Sequence, residues 1–266
     1  MSKEYHASKA TPEDRSKPVS KSTLWRFNKS PWKWGNTKEK APTAAMQLGS
    51  VVHILALEPE KASELIAVSE FDSFRTKEAR AWRDEQIAEG LIVMSAAEYA
   101  VAEKIAGNAL ACIKEAVGGP YKVEKELHGE FNDVAVCGLV DIVPDHYDTL
   151  LWDLKTCSSI GNEHHLQKTI FDNGYHTQGA LYLDLHNHKQ AEKGNHVGFG
   201  FIFVETSYPY EATYVTLSLE SLVAGRQSYI QLVERWKELL DVPLNQLPGA
   251  VAKGAEIEPP AWLQPV

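Results

Sequence analysis

Gly118-Gly119-Pro120 divides the chain into two textures, and an architecture of helices alone or strands alone cannot satisfy both. Upstream, no proline falls between Pro59 and Pro120, and residues 76–117 are rich in Ala, Glu and Lys. That composition favours helix, so two or three helices are expected there, stopped by the glycine pair. Downstream, Tyr121–Leu127, Phe131–Val143 and Thr149–Thr156 are β-branched and aromatic, with turn signals at His128-Gly129 and Pro144-Asp145. These read as strands, followed by a helix over 163–188, strands at Val197–Glu205 and Ala212–Leu219, and a last helix over 219–240. Before all of these, a helix is expected from Ser20 or Ser22 through Leu24, Trp25 and Phe27, ending at Ser30-Pro31. Trp32 to Pro42 reads as loop, and Ala44–Leu57 as a helix closed by Glu58-Pro59. The order implies one α/β domain of mixed α+β character: a small mixed β-sheet flanked by helices, with an N-terminal helical region. Residues 1–18 read as a flexible lead-in and 19–266 as the domain.

The 266 residues allow one large domain or two small ones at roughly 150 residues each. With 44% hydrophobic and 24% charged residues, the chain can bury a sizeable core, which excludes a fibrous or disordered chain. No apolar run is long enough to span a bilayer, and the first residues lack the apolar segment of a secretory signal. Cys112, Cys137 and Cys157 are too scattered for a disulfide framework, so a reducing cytoplasm is expected. Net charge is −9, but residues 1–43 hold ten Lys or Arg against four Asp or Glu. A basic arm on an acidic body can touch phosphates, or it can be a solvated tail.

Chemistry concentrates in Gly138-Leu139-Val140-Asp141 and Trp152-Asp153-Leu154-Lys155-Thr156, on either side of a turn at Pro144–Asp148. In a strand, residues two apart share a face, so Asp153 and Lys155 project together while Leu154 points to the core. Asp141, on the neighbouring strand of an antiparallel hairpin, can meet them across the pair. Two carboxylates suit Mg²⁺, a hard ion that prefers oxygen, and an ammonium beside them can orient or deprotonate a water and stabilise charge on a phosphate. Metal-assisted phosphodiester hydrolysis needs those elements. Read alone, Asp153 and Lys155 also fit a simple ion pair on an exposed strand.

Asp141, followed twelve positions later by Asp153-Leu154-Lys155, resembles the PD-(D/E)XK nuclease superfamily, whose core is restriction-endonuclease-like. Gln178-Gly179-Ala180-Leu181-Tyr182 is similar to the Gln-x-x-x-Tyr helix of its RecB-like branch. Leu48-Gly49-Ser50-Val51-Val52-His53, continuing to Leu57-Glu58-Pro59-Glu60, resembles the motif of RecE-type exonucleases (the exodeoxyribonuclease VIII type). Val123-Glu124-Lys125-Glu126 and Pro260-Ala261-Trp262 also look like that family, so the resemblance spans residues 19–262. It implies Mg²⁺, with Mn²⁺ able to substitute, held by Asp141, Asp153, His53 and the backbone carbonyl of Leu154. It implies Lys155 as the residue that activates or orients water, and Gln178 and Tyr182 as residues that contact DNA or brace the site. Glu124 resembles the upstream acidic residue, in competition with Glu126 and Glu130. The resemblance further implies processive 5′→3′ digestion of linear double-stranded DNA, leaving a 3′ single strand for recombination. A homo-oligomeric ring, a tetramer, and a single-strand annealing partner in a bacterial or phage-infected cell complete the expectation.

Other readings of the same residues stay open. His53 can be a core histidine, and Lys21, Arg26, Lys29 and Lys33, interleaved with Trp25, Trp32 and Trp34, can bind DNA or snorkel around buried rings. His186-Asn187-His188 spells HNH without the ββα scaffold such a site needs, and His164-His165 beside His176 lacks a standard zinc spacing. Three dispersed cysteines cannot hold a four-cysteine iron–sulfur cluster, and no glycine-rich phosphate loop occurs. Rival functions are a RecB-like nuclease of other polarity or endonucleolytic mode, a nucleotide hydrolase, or a non-catalytic DNA-binding scaffold.

Overall fold

The computed structural model describes residues 5, 7–38, 41–71, 73–190 and 194–250. The expected Pro260-Ala261-Trp262 element lies outside them. Strand β1 (Val19–Ser20) leads into α1 (Lys21–Lys29), whose N-cap Ser20 accepts from the Thr23 N–H at 3.3 Å. Ser30 ends α1 and caps α2 (Pro31–Asn36), with Pro31 at the first helical position, where its missing N–H costs nothing. The loop expected from Trp32 is therefore a short helix as far as Asn36. Tertiary packing decides it, since the Trp34 ring sits 5.3 Å from Phe27 and 5.2 Å from Trp236.

Helix α3 (Ala44–Leu57) matches its expected bounds. After a 3₁₀ turn and α4 (Ala62–Leu65), β2 (Ile66–Ser69) pairs in parallel with β3 (Ile92–Ser95) across α5 (Lys77–Ala88). The all-helical expectation for 76–117 misses β3, a four-residue strand specified only by its partner. Helix α6 (Ala96–Val117) opens on a capping box between Ser95 and Glu98 and stops at Gly118 in the left-handed conformation, φ 67°.

Strands β4 (Tyr121–Phe131) and β5 (Val134–Pro144) form a long antiparallel hairpin. Its turn is Asn132-Asp133, both at positive φ, not the expected His128-Gly129. Two positive φ values match the right-handed strand twist. Gly129 instead makes room for a helix, because a Cβ there would lie 2.5 Å from Leu185. On its other edge β5 pairs in parallel with β1 at Val136 and Cys137, and antiparallel with β6 (Leu150–Cys157) at Ile142↔Trp152.

The helix expected over 163–188 is broken into α7 (Glu163–Asp172) and α8 (Tyr175–Gln190). Gly174 breaks it at φ +63°, where a Cβ would meet Trp25 at 2.7 Å. Strand β7 (Gly198–Glu205) runs parallel to β6, β8 (Ala212–Thr216) pairs antiparallel with β7, and α9 (Leu219–Glu238) is followed by a 3₁₀ turn at Leu244–Gln246. The result is a six-stranded mixed sheet with a hydrophobic cluster on each face. Trp152, Leu154, Ile202 and Val204 point to the side of α3 and α6, whereas Leu151, Phe199, Phe201 and Phe203 point to the side of α8 and α9. Within the expected lead-in, Tyr5 and Ala10 are buried, and the Ala10 N–H donates to the Pro18 carbonyl at 2.9 Å. No helix among the described residues is long and apolar enough to cross a membrane.

Candidate active site

The β5–β6 register places Asp141 opposite Asp153. Asp141 is fixed further by the Leu154 N–H, which donates to its Oδ2 at 2.8 Å, while the Leu154 side chain is wholly buried. Asp153 and Lys155 share the α8 face, as strand alternation requires. The Lys155 ammonium is ion-paired with Asp153 Oδ1, and the Gln178 side-chain amide donates to Asp153 Oδ2. Lys155 Nζ also stands 5.0 Å from the centre of the Tyr175 ring.

Helix α3 brings His53 to the same place. Gly49, one turn before His53, lets the helix lie close over β6, because a Cβ there would be 2.9 Å from Thr156 Oγ1. His53 Nδ1 then lies 3.7 Å from Asp141 Oδ2. Glu124 arrives from β4. Val123 pairs with Ile142 and Lys125 with Val140, so Glu124 stands opposite Asp141, at φ 51°. Ligand atoms of His53, Glu124 and Asp141 all lie within 4.8 Å of one another.

Electrostatics follow from the crowding. Burial, and then the Asp153 charge, raise the Asp141 carboxyl well above the ordinary carboxylate range. Burial and the Asp141 charge push Glu124 up to about 7. Burial alone would lower Lys155, but the carboxylates of Asp153 and Asp141 outweigh it and hold the ammonium more basic than an ordinary lysine. Burial, and then the Lys155 charge, lower His53, leaving a neutral imidazole available as a ligand. Two acidic groups and a neutral imidazole held this closely suit a divalent cation, which would relieve the repulsion between the carboxylates.

Of the expected residues, the structure joins His53, Asp141 and Glu124 in one potential ligand set. It turns the Asp153 carboxylate to Lys155 and Gln178. Of the three upstream acids it places Glu124 in that group, while Glu126 Oε2 lies 3.5 Å from His128 Nε2 and Glu130 lies at the hairpin end, opposite Ala135. Tyr182 is buried: its ring lies against Gly138, where a Cβ would come within 2.5 Å, and meets Phe199 edge-on. That geometry braces α8 on β5. Lys21 is buried too, its Nζ donating to the Asn173 carbonyl at 2.7 Å beneath the rings of Trp25 and Tyr175. Tyr175 lies outside the motifs read from the sequence; it stands three residues before Gln178 and packs on Phe201 and Phe203, so only the fold shows that it borders Lys155.

The family described as "PDDEXK-like domain of unknown function" (DUF3799) matches residues 20–244, which include every residue of this site. The chain belongs to that family. Its DUF3799 fold is similar to that of a solved Eubacterium rectale protein named "putative exonuclease", with a TM-score of 0.65 and 14% identity over 98% of this chain and 95% of that one. A second solved structure, SSO0001, aligns at a TM-score of only 0.31, with 12% identity over 83% of this chain and 86% of that one. No curated protein sequence matches. The PDDEXK assignment agrees with the mixed sheet and with the Asp141, Asp153 and Lys155 arrangement on β5 and β6.

Proposed function

We propose that this PDDEXK-like domain is a divalent-metal-dependent exodeoxyribonuclease acting on linear double-stranded DNA. The observation that carries the reading is the convergence of His53, Glu124 and Asp141 ligand atoms within 4.8 Å, beside the Asp153–Lys155 pair. Mg²⁺ is the proposed ion and Mn²⁺ a working substitute, since the set is mainly oxygen with one imidazole. Asp153 and the Leu154 carbonyl are further oxygen donors in this proposal. A cation held there supplies Lewis acidity toward a phosphodiester.

The protein's own groups would do the rest. Lys155, kept cationic by its carboxylate neighbours, stabilises charge developing on the phosphoryl oxygens and orients the attacking water. Gln178 holds the Asp153 carboxylate in place, and Tyr182 fixes the helix that carries Gln178. The name of the Eubacterium rectale neighbour and the RecE-type motifs support an exonucleolytic mode. On the same basis we propose 5′→3′ processive digestion that leaves a 3′ strand for recombination, a tetrameric ring, a single-strand annealing partner and a cytoplasmic setting.

The test is a nuclease assay on linear duplex labelled separately at its 5′ and 3′ ends, with Mg²⁺ or EDTA, beside covalently closed circles. Mg²⁺-dependent release of 5′ label from linear DNA alone, lost in Lys155→Ala while DNA binding persists, is the expected result. Cutting of circles would replace it with an endonuclease. Intact binding with no cutting under Mg²⁺, or under Mn²⁺ in its place, would leave a DNA-binding scaffold.

A further inference from the structure

Tyr175 opens α8 directly after the Gly174 break, and two ammonium groups face its ring. Lys155 Nζ lies over the ring at 5.0 Å from the centre, and Lys21 Nζ at 5.6 Å. Both distances fall within the roughly 6 Å over which the negative face of an aromatic ring attracts a cation. The ring is also held from other elements. Its centre is 5.5 Å from that of Phe201 and 6.3 Å from that of Phe203, two wholly buried strand residues. Lys21 Nζ donates to the Asn173 carbonyl at 2.7 Å, and Trp25 lies so close over Gly174 that a Cβ there would meet it at 2.7 Å. Helix α1 and strand β7 therefore fix the residue that begins α8.

Lys155 thus has two kinds of partner, and they leave it with different capacities. The Asp153 carboxylate pairs with the ammonium directly, occupying N–H donors and cancelling charge. It is also one of the oxygen donors in the metal site proposed above, so a bound cation competes with Lys155 for it. A ring face attracts the ammonium through its quadrupole, over a broad area, and carries no charge to cancel the cation. Lysine presents its donors on a flexible stem, so a partner that locates the head without engaging every donor leaves N–H groups for water and phosphoryl oxygens. The Lys155 side chain is only 20% exposed, and solvent screens the attraction correspondingly little.

We propose that Tyr175 is a positioning residue for the nuclease reaction: its ring face holds the Lys155 ammonium in place, charged and able to donate, independently of Asp153. The inference rests on the exodeoxyribonuclease reading, so one arm of its test needs no activity. In EDTA, the Lys155 ε-methylene NMR signals, identified by their loss in Lys155→Ala, should be displaced upfield by the ring current in wild type and in Tyr175→Phe. They should return to the ordinary lysine position in Tyr175→Leu. The same position in Tyr175→Leu as in wild type would overturn the proposal.

The second arm is turnover of linear duplex with Mg²⁺. Tyr175→Phe should keep the wild-type rate, since the role belongs to the ring, whereas Tyr175→Leu should lower kcat about tenfold with KM unchanged. Replacing Tyr175 by phenylalanine carrying one, two or three fluorines separates this role from packing. The fluorines keep the shape of the ring while draining its negative face, so kcat should fall stepwise with their number. A flat series, or a loss in Tyr175→Phe as large as that in Tyr175→Leu, would overturn the proposal and leave the nuclease reading standing. A wild type that cuts no DNA would refute that reading and the proposal together. The fluorinated set decides the matter even if Tyr175→Leu fails to fold.

Discussion

Gly225 marks a close approach of α8 and α9. A methyl group there would lie 2.3 Å from the His176 carbonyl oxygen and 2.8 Å from Ala180 Cβ, where ordinary contact begins near 3.4 Å. The two helices must therefore part by about 1 Å in Gly225→Ala, because the first obstacle is backbone and has no rotamer to escape into. Overpacking of this kind costs about 1–3 kcal/mol, while alanine for glycine within a helix returns about 1 kcal/mol at most. With a backbone obstacle at 2.3 Å the cost falls in the upper part of that range, about 2–3 kcal/mol, so a net loss of about 1–2 kcal/mol follows, which lowers the melting temperature by roughly 2–8 °C for a chain of this size. Gly107 supplies the control: it lies inside α6 with nothing within 4 Å of its would-be Cβ, so Gly107→Ala should gain about 0.5–1 kcal/mol. Urea denaturation of both variants against wild type reads the difference. The displacement has a second consequence, because His176 is two residues from Gln178 on the helix that positions Asp153. A shift of about 1 Å there should reduce nuclease turnover by roughly 10²-fold. Were Gly225→Ala as stable as wild type while Gly107→Ala gained stability as expected, the close α8–α9 seam would be refuted.

Three further perturbations probe other parts of the molecule. Glu124→Gln removes one carboxylate facing another, so calorimetry should show divalent cation binding weakened by about tenfold or more. The same variant in EDTA should be no less stable than wild type, and unchanged affinity would take Glu124 out of the ligand set. His186 is held at about 4 by burial, then by Lys125 and His196, against 6.5 for an ordinary histidine. The unfolded chain therefore binds the extra proton between about pH 6.5 and 4, and stability contributed by neutral His186 is lost as pH falls through that window. His186→Gln should flatten the pH dependence there by roughly 2–3 kcal/mol, and an equal slope in urea titrations would show that the ring is solvated. Ser95→Ala breaks the capping box of α6 and should cost about 1 kcal/mol, with a loss below a few tenths showing that Glu98 alone holds the first turn.

Much of this architecture is legible in the sequence where a local signal and the tertiary demand agree. Helix α3 ends where Glu58-Pro59 forbids continuation, and α6 ends at a glycine that takes the left-handed conformation. Asp153 and Lys155 share a face because the strand period is two, and Asp141 meets them because the hairpin is antiparallel. Glycines mislead where their role is space and not conformation. Gly129 reads as a turn but serves Leu185, and Gly174 lies within a helix-like run yet interrupts it against Trp25. Helix α2 has too few residues to show a period and depends on Trp34 packing against Phe27 and Trp236. Strands β2 and β3, four residues each and apart in sequence, are specified only by pairing with each other.

Glu124 shows why the site was the least legible part. Three acids, Glu124, Glu126 and Glu130, lie within one strand, and alternation alone puts all three on one face. Pairing on both sides of Glu124 keeps a single register, so the strand does not slip to select it; the backbone turns at φ 51° at that residue alone. A non-glycine residue in that conformation costs about 1–2 kcal/mol, and a carboxylate directly opposite Asp141 adds repulsion. The carboxylate faces other ionisable groups, with ligand atoms of His53 and Asp141 within 4.8 Å. Two penalties at one position, in a strand whose other pairs are regular, support the proposal that Glu124 belongs to a ligand set. A divalent cation between Glu124 and Asp141 would convert the repulsion into shared coordination, so the same feature that weakens the metal-free chain would tighten it once loaded.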